Sequence, residues 1–171
     1  MKRTLRRPTT AAAAFLLAFG GASALTVAPA YADDAACSSL QSKTFPTPGD
    51  NTYVEIQLCI ERTGGGYQAT AQVDWFNGGD TDQDDHRKFD KFDVQVRVEQ
   101  HVSGSDVVKG SRTCDIRYDI NNFKRYSDIC SKFVTHDRTA TWSADGKITY
   151  DIDRDGEGSS TWDLTGSSQI D

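Results

Sequence analysis

The strongest constraint on the fold is an alternation of apolar and polar residues on either side of a glycine turn. Residues 53–61 and 67–75 each place apolar side chains at every second position, a period of two that is typical of half-buried antiparallel strands. The glycines at 64–66 tolerate the positive φ angles that a tight turn needs. The two segments therefore predict a β-hairpin. Its predicted inward-facing side chains are Val54, Ile56, Leu58, Ile60, Tyr67, Ala69, Ala71, Val73 and Trp75.

Further short segments with the same pattern extend the β prediction to the rest of the chain. Phe92, Val94, Val96 and Val98 alternate with polar residues and predict a third strand, whereas residues 118–128 fit either a short helix or a long loop. Short strands separated by turns at this spacing favour an all-β fold, either an antiparallel β-sandwich or an open barrel, over residues 52–171. The other predicted strands are 107–116, 129–135, 140–143, 148–152 and 161–164, with turns at 104–106, 144–146 and 155–158 and a polar loop at 77–88.

The first 32 residues have the composition of a secretory signal peptide. Residues 1–7 hold four basic residues and no acid, an apolar run follows at 11–25, and Ala30-Tyr31-Ala32 is a small-x-small cleavage site. The apolar run is interrupted by two glycines and a serine, so it is too short to span a bilayer, which needs about 20 apolar residues. The sequence therefore predicts cleavage after Ala32 and an extracellular protein.

Charge argues against two classes of partner. Of the 19 basic residues four lie in the predicted signal peptide, which has none of the 25 acids, so the mature chain carries 15 − 25 = −10. Nucleic acids and anionic membrane surfaces both require clustered Lys and Arg. Neither is expected as a partner.

The four cysteines predict two disulfide bonds. All four follow the signal peptide, and an even count in a small exported chain is typical of a disulfide framework. A zinc site is disfavoured because there is no C-x-x-C pair and the three His are scattered. Of the three possible connectivities the short loops Cys37–Cys59 and Cys114–Cys130 are favoured, and Cys59 lies on the polar face of its strand, which places its partner outside the core.

Residues 33–51 are predicted to form an extended N-terminal arm. Pro46 and Pro48 hold the backbone away from helix, and the segment has few apolar residues, chiefly Leu40 and Phe45. Such an arm is expected to contribute little to the core. The residues assigned to partner binding on this arm are Asp33, Asp34, Leu40, Phe45, Pro46 and Pro48.

No motif in the chain predicts catalysis. There is no Gly-x-Ser-x-Gly elbow, and His86, His101 and His136 lie in polar surroundings. A triad built from distant residues remains open because triads are recognised by geometry. With 25 acids, a carboxylate pair suited to glycoside hydrolysis exists at any spacing and has no specificity. The chain is therefore expected to be a non-enzyme with no catalytic residues.

Two acidic groups resemble metal sites without completing one. Asp151, Asp153 and Asp155, followed by a glycine, match the opening of an EF-hand loop, but Trp162 occupies the twelfth position, where calcium binding needs a bidentate Glu. The sequence favours a hairpin turn here. It predicts no metal and no cofactor, with weak calcium binding left open at a second group, Asp80, Asp82, Asp84 and Asp85. Trp75, Trp142 and Trp162 lie in strand patterns and are assigned to the core rather than to a carbohydrate platform.

Several stretches together resemble a known family. Residues 54–59 (VEIQLC), 69–75 (ATAQVDW), 92–97 (FDVQVR) and 155–167, which ends in TWDLTGS, are similar to small secreted actinobacterial β-sandwich proteins. That family includes the adaptor subunit of the umbrella toxin particles, which are secreted against competing bacteria. The resemblance covers nearly the whole mature chain through structural motifs.

The resemblance implies a secreted, non-enzymatic adaptor in interbacterial competition. Such an adaptor links a lectin-bearing subunit with a degenerate trypsin-like domain to the stalk of a repeat-containing toxin polypeptide. The N-terminal arm would enter the cleft of the lectin-bearing partner, and the sandwich would meet the stalk. A secreted protease inhibitor that presents an extended segment from a disulfide-stapled β scaffold is the alternative, and a stand-alone hydrolase is third.

Overall fold

The computed structural model describes residues 34–79, 87–135 and 140–171, and these form nine strands and one short helix. The all-β fold predicted from the sequence is confirmed, and the predicted signal peptide lies outside the described residues. In chain order the elements are β1 (Ala35–Cys37), β2 (Gln41–Phe45), β3 (Thr52–Thr63), β4 (Gly66–Phe76), β5 (Phe89–Val102), β6 (Ser105–Asp115), α1 (Arg117–Asn122), β7 (Arg125–Thr135), β8 (Thr141–Ile152) and β9 (Ser160–Asp163).

The strands form two antiparallel sheets that face each other. The first sheet has the order β1–β3–β4–β7, with β2 pairing further along β3, and the second has the order β6–β5–β8–β9. The predicted hairpin is β3–β4, in which Val54 lies opposite Trp75 and Ile60 opposite Ala69. One core of buried side chains from both sheets lies between them, so the fold is a sandwich.

The alternation identified in the sequence corresponds to the core face of each strand. All nine side chains predicted to face inward from the hairpin are buried, as are the four predicted from the third strand. Trp75 and Trp142 are fully buried and Trp162 packs against the core, which confirms their assignment. Tyr67 stacks on Trp142 at 4.8 Å between ring centroids.

One predicted turn is the middle of a strand. Residues 140–143 and 148–152 were expected to be separate strands, but they belong to the continuous strand β8, in which Ala144, Asp145 and Gly146 pair with β5. A Cβ at position 146 would lie 2.4 Å from the carbonyl oxygen of Gln95. Gly146 therefore allows the backbones of β8 and β5 to approach closely, which explains a glycine in the middle of a strand.

Of the two alternatives for residues 118–128, the short helix is present and the long loop is not. Residues 117–122 form the helix α1, and β7 begins at Arg125, earlier than predicted. The polar loop predicted at 77–88 ends in a fully buried Lys88, whose Nζ donates to the carbonyl oxygens of Pro48 and Asp50 at 2.7 and 3.3 Å. Residues 80–86, with the second acidic group and His86, and residues 136–139, with His136, lie outside the described residues.

The segment predicted as an extended N-terminal arm is extended, but the expectation that it contributes little to the core is wrong. β1 and β2, which lie within residues 34–51, both pair with β3 and so belong to the first sheet. Phe45 is fully buried and makes edge-to-face contacts with Phe89, Phe92 and Tyr150 at 4.8–5.8 Å. The two prolines lie after β2, where they end the strand instead of keeping the segment free of the sheet.

Both predicted disulfides are confirmed. Cys37 and Cys59 lie directly opposite each other in β1 and β3, with Cα atoms 4.0 Å apart. Cys114 of β6 and Cys130 of β7 join the two sheets, with Cα atoms 5.9 Å apart. Two disulfides and no free cysteine suggest an oxidising, extracellular type of environment. In the described part of the chain no helix has the length and hydropathy needed to cross a membrane.

Candidate functional site

Only some of the residues predicted to bind a partner from the arm are exposed at the surface. Leu40 is 57% exposed, Asp34 is exposed beside Arg62, and Pro46 is exposed, while Pro48 is half-buried. Phe45 belongs to the core and is removed from the predicted binding set, and Asp33 lies outside the described residues. The exposed members are held by the β1–β2 edge of the first sheet rather than by a free segment.

A second surface, which the sequence reasoning missed, lies at the opposite edge of that sheet. Among the described residues nine large apolar side chains are exposed, and five of them lie within 16 consecutive residues of α1 and β7. By the β4–β7 register Ile129 and Phe133 lie on the outer face of β7 and Tyr126 lies on its core-facing side, so the exposed groups flank both sides of this edge strand. Exposed large apolar groups concentrated in one segment mark a candidate interaction site. We call this set the α1–β7 strip; its members are Tyr118, Phe123, Tyr126, Ile129 and Phe133.

Core contacts hold part of the α1–β7 strip in place. Phe123 stacks on Tyr126 at 5.2 Å, and Tyr126 contacts the buried ring of Trp75 at 5.7 Å. The indole Nε1 of Trp75 donates to the carbonyl oxygen of Phe123 at 2.8 Å. The aromatic end of the strip is therefore ordered without a partner, which lowers the entropic cost of binding one.

The strip and the β1–β2 edge lie at opposite edges of the first sheet. Strands β3 and β4 lie between them in the first sheet, and strands in a sheet are about 4.8 Å apart. The molecule therefore presents two separate surfaces.

A polar network on the outer face of the second sheet has the connectivity of a catalytic triad. The Ser143 hydroxyl lies 3.0 Å from His101 Nε2, and the Asp106 carboxylate lies against His101 Nδ1. Ser143, however, is buried within β8 opposite Glu99, and the Asp106 side chain is 56% exposed, so water screens the charge that would orient the imidazole. Gln169 Nε2 also lies 3.1 Å from His101 Nδ1. This environment favours a structural role, in which the network ties β5, β6 and β8 to the C-terminal residues.

Charged residues continue along the same face. Arg97 donates from Nε to Glu99 at 3.0 Å and from a terminal nitrogen to Asp145 at 2.5 Å. Burial raises the pKa of Glu99, and the negative charge of Asp145 adds to this, while Arg97 opposes it. The pKa of Arg97 is raised by Asp145 and Glu99, which outweigh its own desolvation.

The raised pKa of Glu99 predicts a stabilising substitution. Above its folded-state pKa, Glu99 is ionised in both the folded and the unfolded protein, and burying the anion lowers the free energy of unfolding. As the pH falls towards about 4.3, the ordinary pKa of Glu, the folded protein takes up the proton first and this destabilisation is relieved. Because Gln carries no charge and still accepts from Arg97, Glu99→Gln should raise Tm at pH 7, with the gain shrinking towards pH 4. Thermal melts at pH 4–8 measure this. A lower Tm for the variant at every pH would show that the Arg97–Glu99 ion pair dominates.

The Asp151–Asp155 segment has turn chemistry. Asp151 lies within β8, Asp153 pairs with Arg154 at 3.2 Å, and the Asp155 carboxylate accepts from the backbone N–H of Glu157 at 2.9 Å. Gly156 and Gly158 have φ angles of 73° and 74°, which turn residues adopt. Within the described residues no group of three or more His, Cys, Asp or Glu is arranged to hold a metal ion.

No protein-family model, curated protein or solved structure matches this chain. The function is therefore inferred from the surfaces of the described residues and from the resemblance noted in the sequence.

Proposed function

We propose that this protein is a secreted, non-enzymatic adaptor that holds two other secreted proteins together through opposite edges of its sandwich. The resemblance to umbrella toxin adaptors names those partners as a lectin-bearing subunit and the stalk of a repeat-containing toxin polypeptide. The two disulfides and the signal-like N-terminus support export to the medium.

The α1–β7 strip is the observation that carries the proposal. Its five large side chains are 42–71% exposed, although burying each one would be worth roughly 1.5–3 kcal/mol. Their concentration in α1 and at the edge strand β7 is explained if a partner covers them. Tyr and Phe are also among the residues enriched at interface cores.

The β1–β2 edge supports a second contact. Leu40 and Pro46 are exposed there, and the Cys37–Cys59 disulfide fixes the edge to β3. In the proposal this edge meets the lectin-bearing subunit and the α1–β7 strip meets the stalk. The lectin-bearing partner would then dock against a rigid strand edge, not receive a flexible arm in its cleft.

Co-purification tests which surface binds which partner. We expect the tagged wild-type protein, isolated from the culture supernatant of the organism that encodes it, to bring down both partners. Ile129→Ser combined with Phe133→Ser should lower recovery of the stalk polypeptide at least tenfold and leave the lectin-bearing subunit bound. Leu40→Ser should have the reciprocal effect.

A matched control is available in β6. Val107 and Val108 are 40% and 50% exposed but lie outside the strip, so replacing both with Ser removes a similar apolar area. That variant should retain both partners. Recovery of both partners by the Ile129/Phe133 variant, or loss of both by the Val107/Val108 control, would contradict the assigned surface.

A further inference from the structure

A β-bulge changes the direction of one lysine at the edge of the second sheet. In the β5–β6 pairing Val98 lies opposite Gly110, and the next residue, Glu99, lies opposite Val108. Lys109 is therefore the extra residue of the bulge and has no partner across the ladder. Bulges of this kind redirect a side chain and are over-represented next to functional sites.

The bulge lies where the edges of the two sheets meet. Cys114–Cys130 joins β6 to β7 further along this junction, and a Cβ at Gly110 would come within 2.7 Å of Val134 Cγ1 and 2.8 Å of Lys132 Cε. Any larger residue at position 110 would have to displace the Val134 or Lys132 side chain, so glycine lets β6 lie this close to β7. The Lys132 side chain runs across Gly110 and so comes near the bulge that carries Lys109.

A cleft of about 660 Å³ opens at this junction. This volume lies within the range of small-ligand sites, roughly 300–1,000 Å³. Val134, on the core face of β7, gives it an apolar wall, backed by the fully buried Trp142. Its full lining is Gln100, Lys109, Lys132, Phe133, Val134, Thr135 and Trp142.

The two lysines give the cleft a charge opposite to that of the chain. The protein has 25 acids against 19 basic residues, yet the ion pairs among the described residues include neither Lys109 nor Lys132. Among the residues that the structure describes, no acidic side chain lines the cleft. Two ammonium groups beside an apolar wall complement an anion attached to an apolar group.

We propose that this cleft binds the C-terminal carboxylate of a partner polypeptide that ends in an apolar residue. The lysines take the carboxylate, the wall formed by Val134 and Trp142 takes the terminal side chain, and Gln100 and Thr135 offer hydrogen bonds to the preceding peptide groups. This assignment rests on the proposed function for its choice of a polypeptide, since Phe133 also belongs to the α1–β7 strip.

Calorimetric titration of the isolated mature protein with short peptides tests the assignment without any natural partner. We expect N-acetyl-Ala-Ala-Phe with a free C-terminus to bind at least tenfold more tightly than the same peptide with a C-terminal amide. Raising the ionic strength should weaken the acid peptide more, because salt screens exposed charges. The double substitution Lys109→Met, Lys132→Met keeps the aliphatic stems and should abolish the difference between acid and amide.

Lys147→Met on the outer face of β8 is the matched control and should bind like the wild type. Equal binding of acid and amide, or an unchanged preference in the double Met variant, would overturn the proposal. Lysine-dependent binding of decanoate without binding of the peptide would assign the cleft to a free amphiphile and overturn the choice of a chain terminus. If co-purification failed while the peptide bound normally, the adaptor role would be contradicted and the assignment of the cleft would stand.

Discussion

Replacing Phe45 with Ala should lower the free energy of unfolding by about 3–5 kcal/mol, the cost of removing a large aromatic side chain from a packed core. Phe45 is fully buried, and its ring contacts those of Phe89, Phe92, Tyr150 and Trp162. The loss leaves a cavity between β2 and the second sheet. Urea denaturation followed by circular dichroism measures the change.

Leu40→Ala provides the comparison on the same segment. Leu40 is 57% exposed and precedes β2, so its substitution should change stability by no more than about 0.5 kcal/mol. If Phe45→Ala also cost less than about 1 kcal/mol, β2 would not be packed on the core in solution, and the expectation of an arm that contributes little to the core would stand.

The β3–β4 hairpin was predictable because its two faces differ strongly. Every second residue is apolar, the glycines mark the turn, and a one-residue shift in register would bury Glu55 and Gln57. The disulfide at Cys59 followed from the same alternation, since a cysteine on the outer face needs a partner outside the core. The alternation along β3 therefore predicted both the hairpin and the disulfide to β1.

β2 was not predictable because its buried side chains do not all look apolar. Lys43 is half-buried, with Nζ 4.5 Å from the ring centroid of Tyr150 and 2.7 Å from the Tyr150 hydroxyl. A lysine whose stem and charge pack on aromatic rings counts as polar in any pattern of hydropathy. Phe45 was then the one clearly apolar member of the strand, which is too little to show a period of two.

The candidate sites depend on features that arise only after folding. Ile129 and Phe133 alternate with Cys130 and Val134, so both faces of β7 carry apolar residues and the sequence cannot show which face meets water. The orientation of Lys109 depends on a bulge set by the β5–β6 register. In the same way, Gly146 is a turn residue in sequence and a close-approach residue in the sheet.

Removing the Cys114–Cys130 disulfide by replacing both residues with Ala should lower the free energy of unfolding by about 4 kcal/mol. Chain entropy accounts for about 3 kcal/mol of this for a loop with a separation of 16 residues. Cys130 is also buried, so losing its sulfur costs roughly 1 kcal/mol in packing. Equilibrium unfolding of the oxidised proteins in urea measures the difference.

The Cys37→Ala, Cys59→Ala double variant separates the two contributions. Its loop has a separation of 22 residues, so chain entropy alone predicts a loss equal to or slightly larger than that for Cys114–Cys130. Both of its half-cystines, however, lie on the outer face of one sheet, whereas Cys114–Cys130 joins two sheets along the junction that also holds the lysine-lined cleft. We therefore expect the smaller loss, about 3 kcal/mol, for Cys37–Cys59.

We also expect loss of the acid-over-amide peptide preference only when Cys114 and Cys130 are replaced, because that bridge holds β6 against β7. Equal stability losses with the preference intact in both variants would mean that the bridge constrains the unfolded chain and does not shape the cleft.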